Sequence, residues 1–385
     1  MNRREFMTSS VIAGVGASIA PRAFGAQMKA ANRTTVALIG SGARGQDLLQ
    51  STMKLPGIEF VAVSDAYQGR MTRARARTNG RATAVADYRQ ILDNKDIQTV
   101  IIATPDHWHK TMTIEALQAG KDVFVEKPLT YTIDEGQQIV DAVRKSGRIL
   151  QVGSQVISSA TVGKAKEMIQ AGRLGQVTMV RASYNRNTAE GAWIYPIPPD
   201  ASERTVNWEQ FLGPAPKRPF SLERFFRWRC YWDYSGGIAT DLFVHLVTTI
   251  HYLLDAKMPQ HIIASGELYR WKDSREVPDT VNAILLYPEG FTVNLSSTFN
   301  NTSESGYEIF GTEASIAIRG GALTFTPESA IENNRWVVES WPEELEKAYY
   351  ADPKVQARET PSTWKPQMRE NGEVWTERGD RKSVV

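Results

Sequence analysis

A single cysteine, Cys230, stands in the 385 residues, so no intrachain disulfide can form. One thiol suits both a cytosolic protein and one exported already folded. Charge of one sign is also lacking. The formal net charge is +2, and the first 25 residues carry that excess themselves, with Arg3, Arg4 and Arg22 against Glu5. The remainder is near neutral, which excludes the basic footprint of a nucleic-acid partner. Internal repeats and low-complexity segments are absent. The hydrophobic share of 42% and charged share of 23% fit a soluble globular enzyme, neither disordered nor membrane-embedded. The length allows two cores of ordinary size.

The amino terminus reads as an export signal over residues 1–30. Asn2-Arg3-Arg4-Glu5-Phe6-Met7 forms a twin-arginine n-region. A weakly apolar stretch from Val11 to Ala20 follows, then Pro21 and the small-residue pattern Ala23-Phe24-Gly25. That apolar core is too short to span a bilayer in the ordinary way. A disordered or anchoring tail is the alternative. The signal is similar to those that carry folded, cofactor-loaded proteins across the bacterial inner membrane, so a periplasmic protein without stable membrane association after export is expected.

Residues 31–155 alternate strand and helix. Apolar runs at Thr35–Ile39, Ile58–Ser64, Thr99–Ala103, Asp122–Val125 and Ile149–Val152 are separated by helical patterns such as Thr111–Gln118. That rhythm predicts an α/β domain with a doubly wound parallel sheet. Residues 156–345 read differently, as an α+β domain with a large, mainly antiparallel sheet. A helix is expected at Lys164–Gln170 and a strand at Val177–Tyr184. A long proline- and aromatic-rich stretch, 185–235, comes next. A helix opened by Gly236-Gly237 runs to about Leu254, and strand patterns follow at Ile262–Leu268, Val281–Tyr287, Phe291–Phe299 and Ser315–Arg319. Residues 346–385 are polar and proline-interrupted, and are expected to be irregular or loosely attached.

Several segments carry chemistry. Gly40-Ser41-Gly42-Ala43-Arg44-Gly45 follows the first strand and opens a helix, the context that gives a G-x-G-x-x-G motif physical meaning. Gly40 permits the tight turn, Gly42 lets backbone approach a pyrophosphate, and Gly45 lets helix and strand pack; Ala43 and Arg44 complete the loop. Asp65 ends the second strand about twenty residues on, where a carboxylate accepts from ribose hydroxyls and repels a 2′-phosphate. NAD is therefore favoured over NADP, a preference that Arg70 and Arg73 soften. Thr104-Pro105-Asp106-His107-Trp108-His109 lies at the same crevice edge, with His109 able to touch the cofactor. Its His-x-His spacing lacks a nearby third ligand, so no metal is expected.

Glu126-Lys127-Pro128 closes the Asp122–Val125 strand, again at the carboxyl end where open α/β sheets bind ligands. Asp241 and His245 lie four apart on an otherwise apolar helix, a costly placement unless they have partners or face a cleft. A core histidine satisfied by Asp241, and a surface Lys127 in a salt bridge, are the plainer readings. Taken with a dinucleotide loop, the three fit hydride transfer from a secondary alcohol. Histidine takes the hydroxyl proton, lysine stabilises the developing alkoxide, and Asp241 orients the imidazole or holds a neighbouring hydroxyl. In the aromatic stretch, Trp193, Tyr195 and Arg227 are the candidate substrate contacts, since flat rings suit pyranoside faces and guanidinium suits hydroxyl or carboxylate. The same rings could equally fill a core or an interface.

On the glycine loop, Thr104-Pro105, Glu126-Lys127-Pro128, Gly236-Gly237 with Asp241 and His245, and Gly311-Thr312-Glu313, the chain resembles the Gfo/Idh/MocA oxidoreductases over roughly residues 35–320. The resemblance implies a Rossmann domain followed by a domain whose open sheet mediates homo-oligomers, dimeric or tetrameric. It implies that Lys127, Asp241 and His245 line the nicotinamide–substrate pocket and that substrates are sugars, polyols or their derivatives; Glu126, with Lys127, is a candidate cofactor contact. Two departures stand out. Thr248 and Thr249 replace a further acid one turn after the histidine, and no C-terminal helix able to pack back on the first domain is visible, as expected of a truncated form. Two enzymatic readings remain: an NAD-dependent dehydrogenase, and a glycosidase or lyase working through a transient keto-sugar. A catalytically dead sugar-binding protein is a third.

Overall fold

The computed structural model describes residues 33–273, 275–328 and 334–357 and the strand Glu373–Thr376. The export-signal segment lies outside the described residues. Among those described, no helix is long and apolar enough to cross a membrane.

The first domain follows the order β1 (Thr34–Ile39), α1 (Ala43–Thr52), β2 (Ile58–Ser64), α2 (Gln68–Arg77), β3 (Thr83–Ala84), α3 (Arg89–Asp93), β4 (Thr99–Ile102), α4 (Asp106–Gln118), β5 (Asp122–Val125), α5 (Asp134–Ser146) and β6 (Leu150–Val152). Its six parallel strands lie in the order β3-β2-β1-β4-β5-β6, the Rossmann arrangement. The sheet order reverses between β1 and β4, so the crevice opens at their carboxyl ends. Helices cover both faces, which is why β1 is buried from Val36 to Ile39. Local signals agree with the fold. Helix α5 starts on Asp134 and Glu135, ends on Arg144 and Lys145, and stops at Gly147 with φ 63°.

The second domain contains α6 (Ala160–Gln170), β7 (Val177–Ser183), α7 (Trp208–Leu212), α8 (Leu222–Phe226), α9 (Val244–Leu254), β8 (His261–Glu267), β9 (Thr280–Leu286), β10 (Thr292–Thr298), β11 (Gly306–Gly311), β12 (Ala314–Arg319) and β13 (Ala322–Pro327). Three short helices follow, α10 (Arg335–Val338), α11 (Glu343–Ala351) and α12 (Pro353–Gln356), then β14 (Glu373–Thr376). The sheet order is β14-β13-β12-β11-β7-β10-β9-β8, antiparallel except between β7 and β10. Strands β10 and β12 alternate buried with half-exposed residues, burying one face against α6 and the turn Ala239–Phe243 and leaving the other open.

Several expectations change. The segment 346–385 is not irregular throughout: α11 extends into it, α12 lies within it, and β14 pairs with β13 from Phe325↔Glu373 to Ala322↔Thr376. The helix after Gly236-Gly237 begins as a π-helical turn, Ala239–Phe243, before α9. The stretch 185–235 folds two short helices capped by Asn207 and Ser221. That stretch is also tied to the first domain. Tyr67 bridges Val206, Asn207 N donates to Ala66 O at 2.7 Å, and Gln68 N donates to Thr205 O at 3.0 Å. Trp108 Nε1 of α4 donates to Phe211 O at 2.9 Å, and His107 Nε2 meets the same oxygen at 3.0 Å.

Trp193 belongs to the core. It is 1% exposed, adopts φ 66°, stands edge-on to Phe299 at 4.8 Å, and lies under the Arg275 guanidinium. No face of its ring is open to a sugar. Trp193→Ala is expected to lower stability by about 3–5 kcal/mol in urea unfolding. A loss below about 1 kcal/mol joined to weaker substrate binding would return Trp193 to the substrate site.

Candidate active site

A cleft of about 610 Å³ separates the two domains. The first domain lines it with Gly40, Gly42, Ala43, Arg44, Asp65, Arg70, Thr104 and Pro105; the second contributes Arg186, Tyr195, Phe225, Phe226, Trp228 and Arg229. The glycine loop is built to receive a phosphate. Gly40 has φ 85°, and a Cβ there would lie 2.6 Å from Ala103 O. A Cβ on Gly45 would overlap Gly40 O, so α1 can approach β1 only without a side chain. Around Gly42 the nearest atoms to an added Cβ belong to the Arg70 guanidinium, at 3.6 Å and beyond, leaving the cleft side open. Gly42 caps α1 without a side-chain hydrogen bond, so the first-turn amides face the cleft. Thr104 Oγ1 has no hydrogen-bond partner among the described residues. A dinucleotide pyrophosphate fits this cradle.

Asp65 is anchored as well as placed. Its carboxylate accepts from Ser41 N at 2.7 Å and from Tyr67 N at 2.9 Å, with Arg70 Nη1 at 3.8 Å. Glu126 is buried and accepts from Arg44 Nε at 2.8 Å; a Cβ on Gly153 would come within 2.8 Å of its Oε1. His109 does not reach the cleft. It is 1% exposed, and its ring nitrogens meet Pro128 O at 2.6 Å and Thr104 O at 2.9 Å. It clamps the two crevice loops from beneath, a positioning role in place of the cofactor contact expected from its spacing.

Lys127 crosses from the first domain to the second. Its Nζ donates to Asp241 Oδ1 and to Asp241 O, both at 2.9 Å. Arg229 Nε donates to the same Oδ1 at 3.0 Å, so one buried carboxylate holds two cations. Burial alone would raise the pKa of Asp241; the ammonium of Lys127 and the guanidinium of Arg229 overcome it and hold the carboxyl well below its usual range. His245 is half-buried one turn on, with its ring 6.3 Å from that of Tyr184. Burial first, then Lys127, lowers its pKa to about 4, so the imidazole is neutral at physiological pH.

Arg227, like Trp193 and His109, sits elsewhere than its expected role, and other residues were missed. Arg227 turns from the cleft, donating from Nε to Tyr195 O at 3.0 Å and pairing with Glu223. It props Tyr195, which does line the cleft. Arg229 takes the inward position, its guanidinium 4.2 Å over the Trp228 ring. Asp106 lies behind Asp241, fully buried, where Thr240 Oγ1 donates to it at 3.3 Å. Burial pushes Asp106 up to about 7, and the Asp241 charge adds to the rise against Arg229 and Lys127. Its place beside Thr104-Pro105 was legible; its convergence with a segment more than a hundred residues away was not. Among the described residues no group of three or more His, Cys, Asp or Glu could hold a metal ion.

A dinucleotide cradle beside a buried carboxylate that holds Lys127, with half-buried His245 one turn on, is the arrangement of a nicotinamide-dependent oxidoreductase. Residues 34–154 match the oxidoreductase family with an NAD-binding Rossmann fold, and residues 162–317 match the GFO/IDH/MocA C-terminal domain. The chain belongs to the Gfo/Idh/MocA oxidoreductases. Levoglucosan dehydrogenase of Pseudarthrobacter phenanthrenivorans is 26% identical over 311 residues, 73% of this chain and 72% of the relative. A glycosyl hydrolase family 109 protein of Shewanella sp. is 32% identical over 161 residues, 39% of this chain and 34% of the relative. The solved structure of levoglucosan dehydrogenase in complex with NADH and levoglucosan shares the fold, with a TM-score of 0.61 and 24% identity over 79% of this chain and 78% of that one.

The raised pKa of Asp106 has a sign. Its contribution to stability is complete below pH 4 and is lost as pH rises towards about 7, whereas that of Asp241 is lost only as pH falls below the ordinary carboxylate range. Asp106→Asn is expected to flatten the fall of the urea midpoint between pH 4 and 7. An unchanged slope would show Asp106 to be ionised throughout.

Proposed function

We propose that the protein oxidises a hydroxyl-bearing carbon of a sugar, polyol or sugar derivative, with NAD in the glycine-loop cradle. The observation that carries this reading is the 2.9 Å contact between Lys127 and Asp241, which joins an ammonium of one domain to the segment of the other that carries His245, beside the cleft-lining Arg229. Bound NAD supplies the hydride acceptor. The neutral imidazole of His245 takes the hydroxyl proton, and Lys127 stabilises negative charge growing on that oxygen. Asp241 fixes the ammonium and is kept ionised by it. Asp65 at the end of β2 supports NAD over NADP because a carboxylate there repels a 2′-phosphate; Arg70 beside it weakens that preference.

A second reading has one observation in its favour, the similarity to a glycosyl hydrolase family 109 protein. The same lysine and histidine would serve transient oxidation of a glycoside followed by elimination. Release of phenol from an aryl glycoside at constant NADH absorbance would favour it.

We also propose export through the twin-arginine segment and self-association through the open sheet face. Ile262, Ile263, Ile284 and Leu286 are all exposed there, an apolar patch suited to a second copy of the chain. Ile263→Asp is expected to shift the species seen in analytical ultracentrifugation from oligomer to monomer. An unchanged mass would remove this face from the interface.

Lys127→Ala and His245→Ala are each expected to lower kcat/KM by about 10²–10⁴-fold while NAD still binds. Loss of NAD binding in both would make the two residues structural. Because the folded pKa of His245 is lowered to about 4, its base form persists on acidification. The acid limb of kcat/KM should therefore fall near pH 4 and not near 6.5.

A further inference from the structure

We infer that the substrate carries a carboxylate, which Arg186 and Arg229 receive beside the reacting hydroxyl. The inference rests on the sugar-oxidation reading and narrows it to sugar acids. Both arginines line the second-domain wall of the cleft, together with Tyr195. Each guanidinium plane is seated on a ring, Arg229 over Trp228 at 4.2 Å and Arg186 over Tyr184 at 4.9 Å. The Tyr184 ring in turn neighbours His245, so Arg186 stands two side chains from the proposed base. A seated guanidinium presents its N–H edges in a fixed plane, the geometry that a planar carboxylate accepts two at a time.

The charge around this wall does not balance. Arg44 is neutralised by Glu126. Lys127 and Arg229 share the single carboxylate of Asp241, and Arg229 uses only Nε for it. Arg186 donates Nη1 to the Gly191 carbonyl at 3.4 Å and has no acidic partner in an ion pair among the described residues. Of the other acids, Asp65 faces Arg70 and Asp47 lies on the first-domain wall; Asp106, behind Asp241, is pushed up to about 7 and cancels only part of the excess. The excess positive charge therefore lies next to His245, where both Arg186 and Lys127 depress imidazole protonation. A neutral sugar would leave that charge desolvated and unmatched, whereas one carboxylate compensates it. Discrimination of this kind comes from groups that are costly to leave unpaired.

The test uses the NAD-loaded full chain and titration calorimetry with hexuronates and aldonates, their neutral parent sugars, and hexose 6-phosphates. A sugar acid is expected to bind about 10- to 100-fold more tightly than its neutral parent, weakening as salt rises. In Arg186→Gln that ratio should collapse to about threefold or less, with Arg186→Lys between the two. Equal affinity for acid and parent, including no measurable binding of either, overturns the inference. So does a preference for the phosphate, a ratio unaltered in Arg186→Gln, or a loss of NAD affinity in that variant, which would assign the arginine to the cofactor. NADH formation from neutral sugars alone would leave the oxidation reading standing while the carboxylate assignment falls.

Discussion

The contact of the Lys127 ammonium with Asp241 organises the molecule at two scales. Locally it fixes a cation at the mouth of β5 and keeps a fully buried carboxylate ionised. Globally it joins the parallel sheet to the π-helical turn that opens α9, so the two domains meet at the residues proposed to act on the substrate. Removing the carboxylate would strand two cations in a low-dielectric site at a cost of several kcal/mol, whereas removing Lys127 leaves Asp241 still paired with Arg229. Arg229 reinforces the same carboxylate from a third segment, and the shared Oδ1 makes the three groups one electrostatic unit.

That unit also sets the chemistry available to His245. An imidazole beside a lone aspartate would be raised in pKa and charged. Here burial and the neighbouring cations act in the opposite direction, and the ring rests neutral with no ring hydrogen bond among the described residues. The carboxylate is thus directed to the lysine and arginine and not to the imidazole.

The Rossmann half was legible because its signals are local. Apolar strands end in glycines at the spacing of a phosphate loop, Asp65 and Glu126-Lys127-Pro128 terminate strands, and helices stop where glycine permits. The second half was legible in type but not in detail. Strands β11 and β13 were missed, although Gly320-Gly321, with φ of 56° and 81°, is a strong two-residue hairpin signal between β12 and β13. In the stretch 185–235 an aromatic ring serves a core beneath a loop as readily as a sugar, and no periodicity separates the two. Trp193 was therefore read as a contact and proved to be core. Arg227 and Arg229 are two residues apart, and which of them turns inward depends on the short helical turn Trp228–Cys230, which composition does not encode.

The stitching along the rim has a dynamic consequence. Backbone bonds from Ala66–Gln68 to Thr205–Asn207, together with the indole and imidazole of α4 on the Phe211 carbonyl, secure one wall of the crevice, and the lysine–aspartate contact secures its floor. A hinge rotation that parted the domains would have to break both sets at once. Ligand traffic must then rely on local side-chain rearrangement at the entrance, and for the reaction proposed the entropy of arranging Lys127 and Asp241 is settled during folding, before any substrate arrives.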